Sequence, residues 1–260
     1  KEEVFTHYAD TMNATGKDYC LLEEFIEGTM LGCEAMLSKG KLLYCLPNNI
    51  ENYPAHVPTP IGHSVPYKKQ DTLGEEVQKQ VLLAIQALGM DNCPVNCDLM
   101  EKDGKIYVIE ITGRAGGNCL PEMVGIYYGI DYYEAIVRLA MDMQAEELFQ
   151  DQKNRFQNAA QRKCGERSEN TDGNLNRVTP NLSHILTSDR DGILKAIHND
   201  NEASPDLLDL SFNVEPGEEI RHYENGRDRL GQVIICGETL DACEQRLNEV
   251  LSKLNIEFIS

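Results

Sequence analysis

Apolar residues at positions 73, 77, 81, 84, 85 and 88 recur at helical spacing, with Thr72 and Glu75 placed as a capping box and Gly89 as a stop, which predicts a helix. Val95 to Met100 alternates, Lys105 to Ile111 is rich in β-formers, and the polar Glu101 to Gly104 between them completes the pattern of a β-hairpin. A loop, Gly113 to Pro121, follows it. Asp131 and Glu134 then cap a second helix, whose apolar positions 136, 139, 140 and 143 share one side. Nearer the start, Tyr19 to Phe25 (YCLLEEF) reads as a short apolar strand, Ile26-Glu27-Gly28 as a break, and Cys33 to Leu37 as a second strand. Asn48 to Pro66 holds Pro54, Pro58, Pro60 and Pro66, with Pro47 just before it, and reads as an irregular connection.

The last 80 or so residues give a strand-turn-strand pattern around Val214-Glu215-Pro216-Gly217, an apolar strand from Gln232 to Cys236, and a helix from Thr239. The stretch 145–181 is rich in Gln, Asn, Arg, Glu and Gly and poor in large apolar groups, which suits a polar linker or mobile segment. The expectation is therefore an α+β chain: a main domain over 1–144, the linker over 145–181, and a small α+β domain over 182–260.

Composition narrows the function. At 260 residues and 41% hydrophobic the chain can bury a sizeable core. Against 24 Lys and Arg stand 43 Asp and Glu, a net charge of -19, so nucleic acid and anionic membrane are poor partners. A nucleotide is still admitted if basic groups, backbone N–H donors and a divalent cation override that field at one site. Nine cysteines form no CxxC pair, which fits reduced thiols and a cytoplasmic setting, and no stretch reaches the ~18 apolar residues that span a bilayer.

Asp98 and Glu110, one on each hairpin strand, carry the strongest chemical signal. A two-residue turn at Asp103-Gly104 would aim them to opposite faces of the ribbon. A three-residue loop, Asp103 to Lys105, would set them directly opposite, and this register is preferred. Two carboxylates about 5 Å apart repel unless a cation sits between them, and oxygen ligands beside a nucleotide favour Mg²⁺, with Mn²⁺ as a substitute. Thr112 points to the same face, and Arg114 could set a planar guanidinium against phosphate oxygens. Spacing alone also fits two solvated carboxylates on an exposed sheet face.

The run CPVNCDLMEKDGKIYVIEITGRAGGNCLPEMVGIYYGIDYYEAIVRLA (Cys93 to Ala140) resembles the end of the ATP-grasp fold, in the branch that holds biotin carboxylase, carbamoyl phosphate synthetase large chains and amino-acid ligases. LLEEFIEG (Leu21 to Gly28) is similar to that branch's adenine hinge, and Arg229 to Leu251 resembles its small C-terminal domain. The resemblance implies the C-terminal lobe of an ATP-grasp fold, with an antiparallel sheet and flanking helices. It implies that Glu23, Glu24 and Ile26 meet adenine beside Phe25, that Glu34 lies near the ribose, and that Met100 packs under the base; plain core packing serves Met100 equally well. It makes Asp98 and Glu110 the metal acids, Thr112 a weaker ligand where the family usually has Asn, Arg114 the phosphate-contacting arginine, and His63 and Asn118 acceptor-site residues.

The implied function is Mg-ATP-dependent ligation of a small carboxylate to an amine through an acyl phosphate, with a homodimer as the candidate assembly. Family members bring two phosphate-binding lysines and a Gly-rich loop from sequence before the hinge. Sequence upstream of Lys1 is therefore expected, and this chain alone is expected to be inactive. Phosphorylation of bicarbonate and a non-catalytic nucleotide-binding module stand as alternatives.

Overall fold

The computed structural model describes residues 2–54, 59–149 and 178–259. Most of the 145–181 segment lies outside the described residues. The chain opens with α1 (Glu2–Ala14), followed by β1 (Thr29–Ser38), β2 (Lys41–Tyr53), β3 (Thr59–Val65), α2 (Gln70–Leu88), β4 (Pro94–Lys102), β5 (Lys105–Thr112), α3 (Leu120–Tyr128) and α4 (Tyr132–Ala140). After the gap come β6 (Asn181–Leu186), β7 (Gly192–Asn199), β8 (Leu207–Phe212), β9 (Glu219–Ile220), β10 (Gly231–Cys236), α5 (Leu240–Ser252) and β11 (Leu254–Phe258). Eight strands join in one sheet in the order β5-β4-β1-β2-β3-β6-β10-β8, and β11-β7-β9 form a second. The mixed α+β expectation holds, and β6 pairs with β3, so the sheet runs on past the gap.

Strand alternation sorts the main sheet into two faces. Leu31, Cys33, Ala35, Val95, Cys97 and Leu99 point to one side and bury against Val77, Val81 and Ile85, the i, i+4, i+8 stripe of α2. That helix ends where expected: Gly89 is left-handed at φ 64°, and the N–H groups that follow reach back to the last carbonyls. Its start differs, because the helix begins at Gln70, and the Thr72 hydroxyl donates to the Lys69 carbonyl inside the first turn instead of capping it. On the other face, Met36, Tyr44, Leu46 and Val65 bury beneath α3 and α4. The Tyr44 hydroxyl donates to that of Tyr132 at 2.8 Å, and its ring stacks on Phe149 at 5.5 Å.

Three expectations are corrected. The proline-rich 48–66 stretch is not irregular, since it supplies the second part of β2, from Asn48 to Tyr53, and all of β3. Pro47 precedes the β2–β3 pairing, which starts at Asn49, so one side of the strand has no ladder there to break. Pro60 sits where a bulge already shifts the register, and Pro66 lies beyond the end of β3. The Tyr19 to Phe25 stretch is extended but forms no strand: no described residue pairs with it, and Tyr19, Leu21, Leu22 and Phe25 are exposed, Phe25 at 87%. Finally, α3 follows directly on the predicted loop. Its N-cap, Cys119, is left-handed at φ 65° and makes no side-chain cap, so Pro121 and Glu122 in the first turn are left to mark its start.

Candidate functional site

The β4–β5 hairpin sets Asp98 directly opposite Glu110, though by a different route from the one anticipated. The turn is the two-residue Asp103-Gly104, both left-handed at φ 53° and 74°, and from Lys102↔Lys105 to Leu99↔Val108 the pairing follows that short register. Ile109 then bulges out as an extra residue, and from Asp98↔Glu110 onward the register is shifted by one. Glu101 braces the turn: one carboxylate oxygen accepts from the Gly104 N–H at 3.0 Å, while the other meets the Lys69 ammonium at 2.6 Å.

Burial, and then the facing Glu110 charge, hold the Asp98 carboxyl above its usual range, with the Arg114 guanidinium pulling it back. Two acids in mutual repulsion, with a cation-bearing side chain beside them, fit one divalent ion that also takes phosphate and water oxygens. Among the described residues no group of three or more His, Cys, Asp or Glu converges on a common ion position, so the phosphates would have to complete its shell. Thr112 pairs with Asn96, and its hydroxyl donates to the Asn96 carbonyl at 3.4 Å.

Arg114 is exposed at the start of the loop after β5, and donates to Asn96 Oδ1 at 3.3 Å and to the Ala115 carbonyl at 2.8 Å. Beneath it lies Glu34, fully buried on β1. Its oxygens accept from Asn96 Nδ2 at 2.7 Å and from the Gly116 N–H at 3.2 Å, and burial lifts its carboxyl to about 8. The ribose assignment does not fit this placement. Along β4 the order is Met100, Asp98, Asn96, and Glu34 pairs with Asn96 on the far side of Asp98 from the hinge. Its carboxyl is taken up in holding the Arg114 loop.

The hinge residues lie at the other end. Gly28 sits against Glu101 and Met100, where a Cβ would come within 2.3 Å of the Glu101 carbonyl oxygen. Glu24 and Ile26, with Lys102, Asp103, Lys105 and Tyr107, line a cleft of about 240 Å³. Glu23 and Phe25 point to solvent and Met100 is half-buried, on the same strand face as Asp98.

His63, on β3, is buried, and burial drops its imidazole to about 4, so it is neutral at physiological pH. Its Nδ1 lies 3.0 Å from Asn48 Oδ1, a partner with no motif in the sequence to mark it. Asn118 faces inward from the loop, yet its amide donates to the Pro60 carbonyl at 3.2 Å, while its own carbonyl accepts from the Ser183 hydroxyl at 2.9 Å. It pins the loop across β3 and β6. The structure therefore gathers Asp98, Glu110, Thr112, Arg114, Glu34 and His63 on one sheet face, with the hinge beyond the Met100 end.

Comparison with known proteins bears on the family of the chain. Residues 184–258 match the family model for the L-amino acid ligase C-terminal domain 2. Phosphoribosylglycinamide synthetase from Anaerococcus prevotii superposes with a TM-score of 0.78 at 35% identity, over 100% of this chain and 61% of that one. L-amino acid ligase from Bacillus licheniformis matches with a TM-score of 0.69 at 18% identity, over 91% of this chain and 53% of that one. The biotin carboxylase domain of Hydrogenobacter thermophilus 2-oxoglutarate carboxylase, in complex with MgADP and bicarbonate, matches with a TM-score of 0.64 at 14% identity, over 100% and 52%. A search of curated protein sequences finds no match. The chain thus spans a little over half the length of the solved relatives it matches. With 35% identity to a solved relative over the whole chain, and the L-amino acid ligase family model over its C-terminal part, the chain belongs to the ATP-grasp superfamily.

Proposed function

We propose that this chain supplies the metal- and nucleotide-holding face of an ATP-dependent ligase that joins a small carboxylate to an amine through an acyl phosphate. The observation that carries it is the Asp98–Glu110 pair, opposed across one hairpin with Arg114 alongside. Support for ligation rather than carboxylation comes from the L-amino acid ligase family model and from the 35% relative, which is named for an amide.

Asp98 and Glu110 would hold Mg²⁺, with Thr112 beside them, and the ion when bound neutralises phosphate charge. The Glu24–Ile26 cleft would take the adenine, with Met100 beneath it. Arg114, steered by Asn96 and by the Glu34-anchored loop, presents two donors toward the phosphate being transferred and shields its charge as the carboxylate attacks. Asn118 keeps that loop closed over β3 and β6, and neutral His63 can accept a hydrogen bond from the acceptor. Eight unpaired cysteines among the described residues suit a reducing, cytoplasmic setting.

The test uses the longest natural form of the protein, with ADP release screened against amino acids and against bicarbonate. Amino-acid-dependent release that falls at least about 100-fold in D98N and E110Q, with unchanged melting, is the expected result. Release unaffected by both substitutions removes the metal assignment. Release driven by bicarbonate alone moves the protein to the carboxylase-like reading.

A further inference from the structure

We propose that the side-chain amide of Asn48 donates a hydrogen bond to an anionic oxygen of the transferred phosphoryl group, held over Gly32 between Asp98 and His63. The inference rests on the nucleotide reading above and adds a donor to it that no motif marks.

Three observations converge on this amide. Gly32 of β1 pairs with Asp98 on one side and with Asn48 on the other, so both side chains rise from the same sheet face and flank a residue that has none. The Asn48 amide leans into the gap against Gly32, since a Cβ there would come within 2.6 Å of its oxygen and 2.8 Å of its nitrogen. Asn48 is 1% exposed, yet only one end of the amide is matched: Oδ1 lies 3.0 Å from His63 Nδ1, and Nδ2 has no partner.

A buried donor left unmatched is destabilising, which makes the arrangement unfavourable unless something completes it. His63 sets which end of the amide is free. With Nδ1 protonated, the ring donates to Oδ1 and the NH₂ is left to face the gap. Across Gly32 from the amide stand the groups that would hold a metal-bound phosphate: Asp98, opposed by Glu110, with Arg114 two residues past Thr112. A neutral donor is the appropriate chemistry there, because another cation would compete with the metal for the two carboxylates, and another acid would repel the anion.

The primary test needs no substitution. In ¹⁵N-labelled protein, the Asn48 side-chain NH₂ signals are expected to shift when inorganic phosphate is added in the presence of Mg-ADP, and not with Mg-ADP alone. A shift with Mg-ADP alone would assign the amide to the nucleotide, and the absence of any shift would remove its ligand; either overturns the proposal. Asn48→Asp keeps shape and the bond from His63 but removes the donor. In the longest natural form it is expected to bind Mg-ADP within about threefold of the original while slowing ADP release about 100-fold. Unchanged ADP release in N48D, where D98N abolishes it, refutes the amide's role and leaves the nucleotide reading standing. Undiminished Mg-ADP binding in D98N refutes that reading itself.

Discussion

Two ends of one sheet face, built from the same strands, have opposite fates. At one end Met36, Tyr44, Leu46 and Val65 are sealed under α3 and α4, and Met123 and Ala135 have no exposed surface at all. Only two residues along β1 from Met36, Glu34 begins a polar stretch that runs through Gly32, Asn48 and Asp98 out to the exposed Glu110. In the sealed end the tyrosine hydroxyl of Tyr44 finds its partner in Tyr132. In the open end one acid is lifted by burial, another by burial and then by its neighbour, and an asparagine amide is left half matched. The difference separates groups arranged to hold the fold from groups arranged to hold something else.

That contrast can be broken by mutation. The largest stability effect is expected in the sealed end: Met123→Ala should cost about 2–5 kcal/mol in urea unfolding, because α3 cannot collapse onto the sheet without disturbing Tyr44 and Tyr128. In the open end Asp98→Asn should leave the ligand-free protein as stable as before, since it relieves repulsion. It should nonetheless abolish the roughly 2.7 kcal/mol of stabilisation that Mg-ADP at a hundred times its Kd confers on the unsubstituted protein, read as a thermal shift. If both substitutions cost equal stability, the two ends do not differ as described.

Smaller effects sharpen the picture. Gly32→Ala should cost about 1–3 kcal/mol, as the added methyl must push aside an amide with no free room, and the His63 ring signals should move with it. Glu34 makes stability depend on pH. Its carboxyl sits at about 8, above the ordinary 4.5, so its contribution is complete below the ordinary value and is lost as pH rises through the folded one. Between those limits, without Mg²⁺, unfolding free energy should fall by up to about 1.4 kcal/mol per pH unit, and Glu34→Gln should flatten the slope. Thr72→Ala should change stability by less than about 0.5 kcal/mol, because that hydroxyl is not the cap its position suggested.

Where local rules decide the outcome, the sequence was readable. Gly89 ends α2, the side chains of Asp131 and Thr239 accept from Glu134 and Ala242 as N-caps, and alternation marks β4 and β5. The opposition of Asp98 and Glu110 was anticipated for the wrong reason, since no local preference reports a bulge at Ile109. Proline content hid β2 and β3, because whether a missing N–H matters depends on which neighbour strand pairs there. The YCLLEEF stretch has strand-like side chains, but a strand is a property of a pair, and no described residue supplies the other member. Glu34 and Asn48 carried no usable signal for their surroundings: each acquires its environment from strands or loops remote in the chain, Glu34 from Asn96 and Gly116, Asn48 from His63.

The single extra residue at Ile109 works as a phase-setter. Were Ile109 to stay in the ladder, it would take the place opposite Asp98 and turn Glu110 to the underside, among the aliphatic side chains beneath α2, with the turn and most cross-strand bonds preserved. A hairpin without the bulge, and with Ile109 still present, would fold and carry both acids in its sequence while having lost the geometry that brings them together; deleting Ile109 would instead keep them opposed. Counting acidic residues in a related chain is therefore a poor guide to whether it can grip a metal; the spacing between them, taken together with any bulge in the hairpin, is the better one.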